Sequence, residues 1–313
     1  MHAPDVSEGW PHAVPTTPDA LPDYHENVAR PLTRRFWIAG AASLLLRAQE
    51  PEFVCPMDRE VRSKTPGNCP RCGMKLVANL PMPIEYPMDF RATPQQIPAG
   101  RDITLEFRVL DPKTGRPVTQ FETVHEKLFH LFLVSQDLEF FAHLHPELLP
   151  SGWFRLETRL PKPGTYRLLA DFDPTGGTPQ LAARTFSTAG FIAPMEASFR
   201  RPPGDVAPKT GENLTVSLTT EPAEPIAGKK TMLFFRLNPA DGLEPYIGAW
   251  AHLLAVSHDL IDTIHSHPFL ADGGPEMQFN LFFPRAATYR LWIQLQRKGI
   301  INTLAFTLPV RSL

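Results

Sequence analysis

No cysteine occurs after position 72, and the three present, Cys55, Cys69 and Cys72, are crowded together near the start of the chain. An odd, clustered set is not a disulfide framework and reads first as a metal site. No run of 18 apolar residues exists, which excludes a helix that spans a bilayer. Neither sign of charge dominates: 31 basic and 33 acidic side chains leave a formal net charge of −2, so a basic face for duplex nucleic acid is missing. Long helices have little room, because 35 prolines stand in 313 residues and each interior proline costs a helix about 3 kcal/mol. What remains is a chain 42% apolar, long enough for about two domains and best suited to short strands with frequent turns.

Residues 1–32 hold six prolines, five acids and one arginine, and read as a disordered lead. Residues 33–48 differ: Arg34-Arg35 precedes a largely apolar run of 11 residues from Phe36 to Leu46. This resembles a twin-arginine export signal, with Ala48 near a cleavage point. A short buried helix is the competing reading. The signal implies a periplasmic or extracellular protein.

Residues 50–80 contain Cys55-Pro-Met57 and then Pro66-Gly-Asn-Cys69-Pro-Arg-Cys72-Gly-Met74. The Cys69–Cys72 spacing makes a knuckle whose two sulfurs point at one ion, and Gly73 supplies the positive φ such a turn needs. Cys55 returns as a third thiolate, and Met57 and Met74 add thioethers. Soft donors of this kind favour copper or zinc over calcium or magnesium. A Cys69–Cys72 disulfide is the alternative in an oxidising compartment. The pattern resembles the heavy-metal-binding domain found at the ends of copper-exporting ATPases and in metal-efflux adaptors. That resemblance implies Cys55, Cys69 and Cys72 as ligands, with Met57 and Met74 close to the ion. Asp58 stands where the family usually has histidine. The pumps' membrane helices and the adaptors' heptads are absent from the sequence, so the likeness carries metal binding and not transport.

The remainder repeats itself. His130 to Pro146 aligns without a gap with His252 to Pro268, nine of 17 positions being identical. Leu105-Glu-Phe-Arg108 mirrors Leu233-Phe-Phe-Arg236, and Thr165-Tyr-Arg-Leu168 mirrors Thr288-Tyr-Arg-Leu291. A period of ~120 residues is too long for a solenoid unit and indicates a duplicated domain. Alternation in Ile103–Val109 and turn signals every few residues predict two tandem immunoglobulin-like β-sandwiches, over 83–190 and 209–313. A proline-bearing join near 189–211 reads as a semi-rigid linker. The duplicated part is similar to exported β-sandwich proteins that accompany heavy-metal-binding segments.

Each copy carries three histidines: His130, His143 and His145, then His252, His265 and His267. A tight hairpin at Ser135–Leu138 would set Val134 near Glu139 and His130 opposite His143, while the period of two puts His143 and His145 on one face. Three imidazoles on one face suit zinc or copper(II). The other reading is a structural corner with each ring bonded to backbone. His125 and His258 have no counterpart in the other copy and are possible extra ligands. Asp137 and Asp259 read as turn residues. The expectation is an exported, non-catalytic protein that captures, sequesters or delivers copper or zinc, with a metal-efflux or delivery protein as partner. The alternatives are a protein- or sugar-binding module with a structural zinc knuckle, and a metalloenzyme with an open three-His site.

Overall fold

A computed structural model describes residues 52–55, 61–71, 73–79, 84–192 and 201–313. The lead, the signal-like segment, Met57 and Cys72 lie outside the described residues. Among the described residues every regular element is a strand, and no helix is long and apolar enough to cross a membrane.

The sulfur-bearing segment forms β1 (Glu52–Val54), β2 (Arg62–Ser63) and β3 (Val77–Asn79), hydrogen-bonded in the order β2-β1-β3. The first copy follows as β4 (Met88–Thr93), β5 (Asp102–Val109), β6 (Phe129–Ser135), β7 (Phe141–Leu144), β8 (Glu147–Leu148), β9 (Phe154–Arg159), β10 (Thr165–Phe172) and β11 (Gln180–Ser187). Its two sheets run β4-β5-β9-β8 and β11-β10-β6-β7. That is the A-B-E-D and G-F-C order of an immunoglobulin-like sandwich, with one further strand beside C.

The second copy comprises β12 (Lys209–Thr210), β13 (Thr215–Glu221), β14 (Lys230–Asn238), β15 (Leu243–Glu244), β16 (His252–Ser257), β17 (Thr263–Ser266), β18 (Glu276–Phe282), β19 (Thr288–Arg297) and β20 (Ile300–Pro309). Its sheets are β12-β13-β14-β18 and β20-β19-β16-β17, and β15 also pairs with β19. The join is not wholly a spacer: Asp205 exchanges both backbone hydrogen bonds with Thr307, which ties that stretch to the edge of β20. Pro194 lies outside the described residues.

Each sandwich has its own core, because alternate strand residues point inward. On β5, Ile103, Leu105, Phe107 and Val109 are buried, and they meet Leu131, Leu133 and Leu168 from the opposite sheet. In the second copy Leu233 and Phe235 meet Leu253, Leu291 and Phe306. Tyr166 and Tyr289 each donate a hydroxyl hydrogen bond to the carbonyl four residues back, on Lys162 and Arg285, which pins the same turn in both copies.

The strands β6 and β16 are buried on both faces. Their inward residues fill the separate cores. Their outward residues Phe132, Val134, Leu254 and Val256 form a third cluster with Leu138, Leu169, Leu260 and Trp292. The sandwiches therefore pack sheet against sheet, and Phe141 stacks on Trp292 with ring centroids 5.1 Å apart. We expect Trp292→Ala to destabilise the protein by about 3–5 kcal/mol in urea unfolding, as loss of a buried large aromatic does. A double-mutant cycle with Phe141→Ala should return a coupling of about 0.5–1.5 kcal/mol, and a coupling of zero would place the two rings apart.

Candidate metal centre

The outward face of β6 continues from Val134 and Phe132 to His130, and β7 supplies Phe141, His143 and then His145 beyond its end. The expected pairing is corrected by two residues: Val134 faces Phe141 and Phe132 faces His143. The hairpin loop is wider than a two-residue turn, because Ser135 N–H bonds Phe140 O and Leu138 sits at φ 60° with its N–H on Ser135 O. Asp137 accepts the Ser135 hydroxyl and the Glu139 N–H, which holds that wider loop. A shift of two keeps every side chain on its face, so the histidines still converge. Nitrogens of His130, His143 and His145 lie within 4.8 Å of one another. The second copy repeats this from β16 and β17, with His252, His265 and His267 inside the same limit.

The hydrogen bonds around the first triad fix which nitrogen can bind. His130 Nε2 lies 2.9 Å from Val124 O, and His143 Nδ1 lies 2.9 Å from Gln294 Oε1. Both partners only accept, so both ring nitrogens donate. The remaining nitrogens, His130 Nδ1 and His143 Nε2, face each other at 3.0 Å. With the outer nitrogens donating, both inner nitrogens carry lone pairs, and a cation placed between or beside them would relieve that contact. His145 Nε2 is buried and has no hydrogen-bond partner among the described residues.

The second triad is built from the equivalent residues but closes on its third histidine, His267, where the first closes on its second, His143. His252 Nε2 donates to Tyr246 O at 2.9 Å, which leaves Nδ1 facing His267 Nε2 at 3.0 Å. His265 Nδ1 lies 2.7 Å from Asp171 Oδ2, and its buried Nε2 has no partner. Three nitrogens at this spacing are close to what one zinc or copper ion requires, at ~2.0–2.1 Å from each. The donor set fits a borderline divalent ion held by imidazoles.

Three residues join the site that spacing alone ranked low or missed. His125 reaches the second triad, its ring centroid 3.8 Å from that of His267 and 5.7 Å from that of His252. It sits in a tight turn with Glu126, both at positive φ, and the equivalent turn at Ile247-Gly248 lies against it. A Cβ on Gly248 would come within 3.3 Å of His125 Cα, so the two turns need glycine there to approach. The acceptors Asp171, half-buried, and Gln294, buried, were not anticipated, although they occupy equivalent positions in the repeated Tyr-Arg-Leu strands. His258 lies elsewhere, in a groove with Lys162 and Arg290.

Burial disfavours the charged imidazolium and sets the protonation state. It lowers His130 and His145 to about 4 and His252 to about 3, and pushes His143 and His267 down in the same direction. Neighbouring imidazoles add to the effect at each of these rings. At neutral pH these five rings hold their lone pairs free.

In the sulfur segment, Cys55 and Cys69 are buried side by side with Leu76, and Met74 packs against them. Cys69 N–H bonds Met74 O, and Gly73 turns at φ 83° with its N–H on Cys69 O. Two of the three expected thiols meet in one cluster; Cys72 and Met57 lie outside the described residues. Phe282 of β18 packs on this cluster, and a Cβ on Gly73 would overlap the ring of Phe269, two residues after His267.

A family model described as Domain of unknown function (DUF8832) matches residues 86–190 and again 209–312. The chain belongs to this family. Each DUF8832 repeat carries one triad. A second model, described as Heavy metal binding domain, matches residues 53–79, which contain all three cysteines. No curated protein matches the sequence. Among solved structures the chain is similar to a two fibronectin type-III domain segment from chicken tenascin, at 12% identity over 72% of this chain and 99% of that one, with a TM-score of 0.23. It is also similar to fibronectin(III)-like modules of Clostridium thermocellum CbhA, at 9% identity over 69% and 88% with a TM-score of 0.20. A third similarity is to three N-terminal domains of the bacteriophage RB49 Hoc capsid protein, at 13% identity over 72% and 59% with a TM-score of 0.20.

The triads make stability depend on pH in a defined direction. The folded-state values of His130, His145 and His252 lie below the ordinary 6.5, so the unfolded chain binds more protons in between and stability rises with pH there. The metal-free protein should keep its full stability above about pH 6.5 and lose it progressively toward about pH 4, followed by thermal melting in a pH series. A flat melting temperature across that window would contradict the buried neutral rings.

Proposed function

We propose that this protein is exported and binds copper or zinc, capturing the ion with its sulfur segment and holding ions between the two sandwiches. The observation that carries the reading is the pair of lone-pair nitrogens on His130 and His143 facing each other at 3.0 Å in a buried triad. A purely structural corner would satisfy each ring on backbone; here His130 and His252 bond backbone carbonyls, while buried nitrogens of His145 and His265 have no partner among the described residues. The heavy-metal-binding match over 53–79 supports a second, softer site built on Cys55, Cys69 and Cys72. Burial of most of the donors between two packed sheets supports storage or delivery over catalysis, because a catalytic ion needs a position open to substrate. Export is supported by Arg34-Arg35 ahead of the apolar run, and the ion would be received from or passed to a metal-efflux protein.

Equilibrium dialysis of the full chain tests the binding. We expect Zn(II) and Cu(I) to be retained, and Cys69→Ser with Cys72→Ser to remove the ion held by sulfur while leaving ions at the histidines. Retention should weaken as pH falls, since thiolate and imidazole must shed protons to bind. No bound ion in the wild type would end the proposal. Cell fractionation tests export: the mature protein should appear outside the cytoplasm without Arg34 and Arg35, and an intact cytosolic chain would refute that part.

A further inference from the structure

We propose that the two triads are one two-ion centre shared by both sandwiches, and that the ion on His252, His265 and His267 is held more tightly than the ion on His130, His143 and His145. This rests on the reading that the triads bind metal.

The rings of the two triads approach one another across the domain boundary. His143 and His252 have centroids 5.2 Å apart, and His130 and His265 are 5.9 Å apart. Inside the triads, His130–His143 is 5.2 Å and His252–His265 is 5.9 Å. The imidazoles therefore form a single cluster, and neither sandwich owns a separate pocket.

The acceptors are crossed. His143 of the first sandwich donates to Gln294 on β19 of the second, and His265 of the second donates to Asp171 on β10 of the first. Asp171 pairs with His130 across β10 and β6, and Gln294 pairs with His252 across β19 and β16. The two contacts are thus the same contact in each copy, related by the duplication. Each triad has the proton position of its middle histidine set by the other domain, so neither site is complete in one sandwich alone.

The repeats differ at two of these places. Asp171 is a carboxylate, whereas Gln294 is a neutral amide held by its Nε2 on Thr303. A carboxylate acceptor strengthens the ring as a donor and adds negative charge near the cation; an amide does the first weakly and the second not at all. His125 stands where the second copy has Ile247, and its ring lies against His267. The second triad therefore has both a charged support and a fourth imidazole at hand. The class of ligand is a borderline divalent ion such as Zn(II), Co(II) or Cu(II).

The test uses the full chain with Cys55, Cys69 and Cys72 changed to Ser, titrated with Co(II) and followed by its visible absorption and by calorimetry. Two ions per chain should bind in two distinguishable steps. Asp171→Asn should weaken the tighter step by about 10–100-fold and leave the other in place, and Asp171→Glu should restore much of it. Gln294→Glu should move the weaker step toward the tighter one, and His125→Ala should weaken the tighter step alone. One ion per chain, or equal response of both steps to Asp171→Asn, overturns the inference. If two ions bind and neither Asp171 nor Gln294 changes either step, the inference fails while metal binding at the triads stands. If no Co(II) binds, the triads fall as sites while the sulfur segment is untouched.

Discussion

The structure depends on one arrangement: two copies of a sandwich bury the same sheet against each other. That choice forces β6 and β16 to lie between two dry environments, one inside the sandwich and one between sandwiches. Along the shared face, apolar side chains occupy one end and imidazoles the other. The apolar end, with Phe132, Leu169, Leu254 and Trp292, contributes the favourable burial. The polar end must then find partners without water, since an unsatisfied buried group costs about 1–3 kcal/mol. It does so partly with the carbonyls of Val124 and Tyr246, partly with Asp171 and Gln294, and leaves nitrogens of His145 and His265 with none.

This division of labour explains why the outer nitrogens are so firmly committed while the inner ones are not. The carbonyls of Val124 and Tyr246 come from equivalent tight turns, which hold His130 and His252. The middle rings are held from across the boundary. Position and tautomer of His130, His143, His252 and His265 are therefore fixed by backbone and by the partner domain before any ion arrives, which is the condition for a site that loses little on binding. The sulfur segment shows a looser version of the same logic. Its small sheet and the turn at Gly73 position Cys55 and Cys69, and aromatic contacts with Phe269 and Phe282 seat it on the second sandwich.

Much of this was legible in the sequence. The duplication was plain from the aligned His130–Pro146 and His252–Pro268 stretches, and proline content with period-two alternation indicated sandwiches. The common face of His143 and His145 followed from strand geometry, and the face survived an error of two residues in register because parity alone decides it. What the sequence hid was the partner of that face. Leu131-Phe-Leu-Val134 and Leu253-Leu-Ala-Val256 are unbroken apolar runs, the mark of strands buried on both sides, yet a run of four can equally be filled by one core. Asp171 and Gln294 looked like ordinary strand residues, since a chain read along its length does not show what crosses from another domain. His125 was visible only as an unmatched histidine.

The face-to-face packing has a further consequence for how such a protein assembles. A lone sandwich would leave Phe132, Val134 and Leu169 uncovered beside three half-supported imidazoles, and would behave as one half of a dimer. Joining the halves in one polypeptide turns that encounter into an intramolecular closure, with a local concentration far above that of any separate half. Assembly thereby becomes independent of dilution, and each half is free to drift apart in sequence, as the aspartate and glutamine at equivalent positions have done.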